Sequence, residues 1–165
     1  MNQTKNKNQL PEGCRFQKLA EIGKIISGGT PSTSVPEYWN GDISWISPAD
    51  LTGYKKKEIS RGAKSITKEG LKKSSAKLMP KGSVLFSSRA PIGYVAIASN
   101  ELATNQGFKS IIPNDNTDSS YLYYFLKSAK RMAEDVASGT TFKEISLSKF
   151  ADLSIPLPPL LIQTA

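Results

Sequence analysis

KGSVLFSSRAPIGYVAIASNELATNQGFKSIIP, residues 81–113, decides the fold. It reads as three strands: SVLFSS from Ser83, YVAIA from Tyr94 after a Pro91-Ile92-Gly93 turn, and GFKSIIP from Gly107. Each is a short run rich in β-branched and aromatic residues, bounded by Gly, Pro, Asn or Ser, the signature of strands joined by turns. A further strand is predicted around Ile43–Ile46, after the Asn40-Gly41 turn signal. These segments, mainly 43–46 and 83–113, predict an antiparallel or mixed sheet.

Helical periodicity flanks this sheet on both sides. Leu19, Ile22 and Ile25 or Ile26 share a face, so a short helix is expected over about 18–26, ended by Gly28-Gly29. Thr67 is a suitable N-cap for a helix to about Met79, with Ile66 and Leu71 placed as a hydrophobic staple and Pro80 as the stop. Its lysines, Lys68, Lys72, Lys73 and Lys77, fan away from a stripe of Leu71, Ser74, Ser75 and Leu78. Asp118 or Ser119 caps a longer helix expected to reach Ala137, with Leu122, Phe125, Leu126, Ala129, Met132, Ala133 and Val136 as its buried face. A short helix over about 146–152 and an extended LSIPLPP follow, and Pro158-Pro159 is placed to open another helix. The fold class is therefore α+β, a sheet flanked by helices.

At 165 residues the chain is long enough for one domain with a proper core. It carries 22 Lys and Arg against 14 Asp and Glu, a net charge of +8. The window 54–81 holds Lys55, Lys56, Lys57, Arg61, Lys64, Lys68, Lys72, Lys73, Lys77 and Lys81 against only Glu58 and Glu69. That one segment accounts for the whole excess, the footprint of a polyanion binder. A solvated lysine-rich face kept for solubility fits the charge alone equally well. Only Arg15, Arg61, Arg89 and Arg131 offer the planar fork that reads guanine; the other basic residues act as point charges.

The absence of histidine excludes a histidine base, a histidine metal ligand and a His-containing triad. Cys14 is the only cysteine, which leaves no internal disulfide and no cysteine-rich zinc site. With no signal-like or membrane-length apolar run, a cytoplasmic protein is expected. Enzyme signatures fail individually. No Asp or Glu is followed two residues later by Lys, as a restriction-type nuclease core requires. GKIISGGT (23–30) resembles a phosphate-binding loop but has Gly29 in place of the essential Lys, and is better taken as a helix terminus. The only Pro-Pro lies in LPPLL, outside any methyltransferase motif, and no serine sits in G-x-S-x-G. No catalysis and no cofactor are expected in this chain.

Four stretches carry a family resemblance: GGTPSTSVPEYWNGDISWISPADL (28–51), KGSVLFSSRAPIGYVAIA (81–98), ATNQGFKSIIP (103–113) and ASGTTFKEISLSKFADLSIPLPPLLIQ (137–163). Together with ITKEGLKKSSAKLMP they resemble one target recognition domain of a Type I restriction-modification specificity subunit. The resemblance implies a DNA methylase specificity-domain-like fold over residues 15–158, a lead-in over 1–14, and the start of a spacer helix at 159–165. It implies a non-catalytic role, in which each of two such domains reads one half of a split double-stranded DNA target. Modification (methyltransferase) subunits using S-adenosylmethionine, and restriction subunits using ATP and Mg, are the implied partners. A full subunit would carry a second recognition domain and long spacer helices. The chain is thus expected to be an excised or truncated domain, or a half-subunit that has lost the helix by which half-subunits dimerise, with a second copy as a further partner of a half-subunit dimer. A protein-interaction module with an acidic partner, and a recognition domain of a fused restriction-methyltransferase, are the competing readings.

Because such domains bind different sequences, the recurrent strings are expected to be scaffold and the base-reading residues to lie elsewhere. Tyr54, Lys55, Lys56, Lys57 and Arg61, with Lys64, Lys72 and Lys73 beyond them, are the leading DNA-binding candidates. Arg89 contacts phosphate or braces its turn. Asn105 and Gln106 have amides suited to adenine but lie in a family string, so a positioning role is expected. Thr140 and Thr141 donate to phosphate from a loop or stabilise its turn. Tyr38, Trp39 and Trp45 are expected to be core or loop anchors.

Overall fold

A computed structural model describes residues 10–165; most of the expected lead-in, 1–9, lies outside the described residues. The elements run β1 (Arg15–Lys18), α1 (Leu19–Ile22), β2 (Gly23–Ser27), β3 (Trp39–Ile46), β4 (Glu58–Ile59), β5 (Lys64–Ile66), α2 (Lys68–Lys72), β6 (Val84–Ser88), β7 (Ile92–Ala98), β8 (Leu102–Thr104), β9 (Lys109–Pro113), α3 (Ser119–Ser128), α4 (Lys130–Val136), α5 (Leu147–Ala151), β10 (Ser154–Leu157) and α6 (Leu160–Gln163). One-turn 3-10 helices, Pro36–Tyr38 and Pro48–Leu51, flank β3.

The central sheet has the order β2-β9-β6-β7-β4, antiparallel except for the β4–β7 pair. All five residues of β6, VLFSS, are buried. Alternate side chains go to opposite faces of a strand, so such a run requires cover on both sides. Val84 and Phe86 join the core formed with α1, α3, α5 and β10, and Leu85 joins the core formed with β3, β8 and the Pro48–Leu51 turn. A second sheet, β5-β3-β8, provides that other cover, its far side closed by Trp45, Ile66 and Ala76. A β1–β10 ribbon ties residue 15 to residue 157. The result is an α+β domain with mixed sheets; residues 43–46 pair with β8, inside 83–113, in the second sheet, while β6, β7 and β9 belong to the central sheet.

The differences from the expected helices have local causes. The expected 18–26 helix stops after one turn, and GKIIS continues as β2 against β9. Gly23 is a poor helix residue and adjacent Ile25-Ile26 favour a strand; a Cβ at Gly23 would sit 2.5 Å from the Ile112 carbonyl oxygen. Gly28 and Gly29 therefore follow a strand and end no helix. Their role is close approach, since a Cβ on Gly28 would collide with the Asn105 carbonyl and one on Gly29 with Ser75.

The Thr67 cap is present, its hydroxyl accepting from Gly70 N at 3.0 Å, but α2 ends at Lys72. Ser74 bonds locally to the Leu71 carbonyl and accepts from Ala76 N, competing with the helix. Ala76 and Met79 then turn into the core, and Met79 pairs with Leu102. The 119–137 helix is capped by Asp118 as expected and breaks at Ala129, after Ser128 bonds back to the Phe125 carbonyl. Beyond the break Ala133 stays buried, while Met132 and Val136 are exposed.

Phe86 of β6 stacks on Phe150 of α5, with centroids 5.0 Å apart and both rings fully buried. Replacing Phe86 by Ala should cost about 3–5 kcal/mol in urea unfolding, as an aromatic deleted from a packed core does. A loss below 1 kcal/mol would show that α5 is not held by this pair.

Candidate nucleic-acid interface

The sheet order distributes the polar groups among the turns at its edges. Asp50 organises the first of them. Its carboxylate accepts from Ser47 N at 2.8 Å, from Ser47 Oγ at 3.0 Å and from Ala63 N at 2.8 Å. A Cβ at Gly62 would lie 2.6 Å from this carboxylate, so only glycine lets the Arg61-Gly62-Ala63 turn settle on it. Arg61 is thereby presented from a fixed turn and is exposed. Lys64, on β5, lies over the Trp39 ring at 5.5 Å from its centroid. Trp39 packs edge-on against Trp45 at 5.2 Å. Their indole N–H groups donate to the carbonyls of Ser32 and Gly29, so both are anchors, as expected. Lys64 borders two adjoining depressions, one with Thr33, Trp39 and Asn40, the other with Gly41, Asp42, Ser44 and Arg61.

The remaining basic candidates diverge. Lys55 and Lys56 are exposed, and the Tyr54 hydroxyl donates to the Glu58 carbonyl at 2.6 Å, closing their loop. Lys57 is turned toward α3. Its ammonium donates to Ser120 Oγ at 3.2 Å and lies 5.8 Å from the Tyr124 ring centroid. Lys72 and Lys73 stand exposed at the end of α2. Among the described residues none of the ten basic groups between 55 and 81 has a carboxylate within 4.0 Å; the ion pairs found are Lys18–Asp152, Arg89–Glu144, Lys109–Glu144 and Lys130–Glu134.

A second group gathers Arg89, Gln106, Thr140 and Thr141. The register that pairs Val84 with Ile111 and Ser87 with Phe108 sets Arg89 abreast of Gln106. On its other side Arg89 bridges Glu144, which bridges Ser138 across the exposed loop containing Thr140 and Thr141. The Asn105 side-chain oxygen accepts from Gly107 N at 2.8 Å, which holds this turn. Gln106 is anchored by Thr30, whose hydroxyl donates to its carbonyl oxygen. Lys57 pairs at the opposite end of β7, alongside Ile97, so these candidates do not form one cluster with it.

Sequence reasoning missed Asp50, Lys109, Tyr124, Phe142 and Glu144. Ser47 followed by Asp50 is a capping-box spacing that signals the first. A lone lysine inside the apolar GFKSIIP signals the second. Only 8% of the Lys109 side chain is exposed, and Glu144 lies 3.8 Å away. Burial holds the Lys109 pKa below its ordinary 10.5; Glu144 opposes this, and Arg89 adds to it.

This is a three-layer α+β domain that presents on its surface, between residues 55 and 81, cations with no carboxylate partner among the described residues. The family model for the Type I restriction modification DNA specificity domain matches residues 11–165, and the chain belongs to that family. It is 48% identical over 153 residues to the Type I restriction enzyme MjaIX specificity subunit of Methanocaldococcus jannaschii, covering 91% of this chain and 35% of the relative. To the HindI specificity subunit of Haemophilus influenzae it is 32% identical over 152 residues, covering 90% and 33%. The solved HsdS subunit from Thermoanaerobacter tengcongensis superposes with a TM-score of 0.70 at 25% identity, over 98% of this chain and 37% of that one. A chain from a structural study of type I R-M complex assembly gives 0.75 at 26%, over 97% and 38%. The chain thus spans about a third of the length of the relatives it matches. Among the described residues no helix is long and apolar enough to cross a membrane.

Asp50→Ala should lower stability by about 1–2 kcal/mol in urea unfolding, the loss of hydrogen bonds to a charged acceptor from half-buried Ser47 and exposed Ala63, and should raise hydrogen exchange at the Ala63 amide. Unchanged exchange there would show that Asp50 does not hold the turn. Glu144→Gln should cost about 1–2 kcal/mol, a modest figure because Glu144 is partly open to screening solvent. Between the lowered Lys109 pKa and 10.5 the unfolded chain binds more protons than the folded one, so this group makes stability rise with pH there. Below that interval its full penalty is present. Lys109→Met should flatten the alkaline rise, as followed by unfolding across that range.

Proposed function

We propose that this domain binds double-stranded DNA and reads one half of a bipartite target as a target recognition domain of a Type I specificity subunit. The observation that carries the reading is the set of ten basic residues between 55 and 81 with no carboxylate partner among the described residues, on a domain of the DNA specificity family. Cations left unpaired by their own protein are free to replace the counterions condensed on a duplex. Lys55, Lys56, Lys72 and Lys73 hold phosphates as point charges. Arg61 and Lys64, set beside the Trp39 depression, reach base edges, where the Arg fork pairs with guanine. Arg89, Gln106, Thr140 and Thr141 supply a second contact line at the other turns, with Asn105 shaping it. Lys57 acts mainly by fixing the Tyr54–Glu58 loop against α3.

In this reading the recognition domain occupies 15–158 and 159–165 leads toward a spacer helix. The other half-site is read by a second such domain, in the same polypeptide or in a second copy. The domain performs no chemistry of its own. Methyltransferase subunits supply S-adenosylmethionine-dependent modification, and restriction subunits supply ATP- and Mg-dependent cleavage.

Selection from a library of randomised duplexes should recover one short contiguous motif. A pool indistinguishable from the input would overturn the reading. Lys55→Ala with Lys56→Ala should weaken all duplexes and reduce the salt slope of log K by about 2, whereas Arg61→Ala should relax one motif position roughly 10-fold or more. An unchanged slope in the double variant would remove those lysines from the interface.

A further inference from the structure

The five residues Gly139–Lys143 form a loop closed by paired backbone bonds, Ser138 N to the Glu144 carbonyl at 3.0 Å and Glu144 N to the Ser138 carbonyl at 2.9 Å. Gly139 has φ +118, and a Cβ there would collide with the Phe142 carbonyl, so the loop is tight. Its base is anchored by Ile145 N donating to the Ser88 carbonyl at 3.0 Å and by Lys149 donating to Ser138 Oγ at 2.9 Å. Phe142, on this fixed loop, is 82% exposed, whereas Phe86, Phe108 and Phe150 are fully buried. Leaving a phenyl ring in water forfeits roughly 2 kcal/mol of burial, a cost recovered only when something covers it.

The surroundings identify the cover. Arg89, Lys143 and Lys149 lie on or beside the loop, and Glu144, the residue that closes it, is taken by Arg89 and Lys109; Asp135 lines the depression beside Lys149. Asp152, on the neighbouring surface, is held by Lys18 at 2.9 Å. Thr140 and Thr141 are exposed beside the ring. An exposed aromatic rimmed by cations and hydroxyls complements a duplex, whose phosphates take the rim and whose stacked bases take the ring.

We propose that Phe142 is an apolar wedge that inserts at a base step of the bound duplex, with Arg89, Lys143 and Lys149 on the flanking phosphates. This rests on the DNA reading above and adds to it a residue that deforms the DNA. The wedge would let the domain favour easily unstacked steps at positions where it makes no hydrogen bond.

The test uses the duplex selected by the wild-type chain, with 2-aminopurine replacing each adenine in turn. Wild type should raise the fluorescence several-fold at one step. Phe142→Ala should lose that rise and bind roughly 10-fold more weakly with the same salt slope, while Phe142→Trp retains both. Circular dichroism and thermal unfolding of the variants should match wild type, since the ring is 82% exposed. Equal affinity and an equal fluorescence change in wild type and Phe142→Ala would overturn the wedge and leave the DNA reading standing. So would unchanged DNA binding with weakened association to a methyltransferase subunit, which would make Phe142 a protein contact. No DNA binding by wild type would overturn both.

Discussion

Burial of β6 on both faces is the constraint from which the rest of the structure follows. A strand reading VLFSS has no solvent side, so one face must be covered by helices and the other by a second layer. The helices are α1, α3 and α5, and the second layer is β5-β3-β8. Once both faces are used, the chain presents its side chains on the turns at the ends of strands, on the exposed elements of the second layer and on the outer faces of the helices. The first two of these places hold Arg61, Lys64, Arg89, Gln106 and the exposed Phe142. The scaffold is rigid where the turns are anchored: Asp50 fixes the Arg61 turn, Thr30 and Gly28 fix the Asn105-Gln106 turn, and Glu144 fixes the turn at Arg89.

The central strands were legible because their burial is written as unbroken runs of β-branched and aromatic residues between turn formers. The segment 23–27 was not, since Leu19, Ile22 and Ile26 satisfy helical spacing and only the pairing of β2 with β9 makes the strand preferable. Local propensity cannot see partners 82 to 90 residues away. The same limit applies at α2, whose lysine fan satisfies a longer helix until Met79 is claimed by Leu102. For the site, the charge excess in 54–81 was legible as composition. Its division was not: Lys57 faces Ser120 and Tyr124 while Arg61 sits on Asp50, a separation set by strand register and not by spacing in the chain. Phe142 was overlooked because an aromatic in a sequence is ordinarily counted toward a core, and only the fold shows this one outside it.

The arrangement divides the work between two kinds of contact. In the proposed DNA reading, lysines on loops and on the end of α2 supply attraction that depends on charge and salt and is indifferent to sequence. The few groups held in fixed geometry can discriminate, because a hydrogen bond to a base edge needs an orientation that a flexible lysine does not keep.

The central claim is that this chain alone specifies one half of a split target. The most direct measurement is the methylation map of DNA from cells expressing a chimeric specificity subunit, in which this chain replaces the matching segment of the Haemophilus influenzae relative, together with that relative's methyltransferase subunit. The account predicts a bipartite motif with one half and the spacing retained and the other half new. An unchanged motif, from a chimera present at normal level, would contradict it.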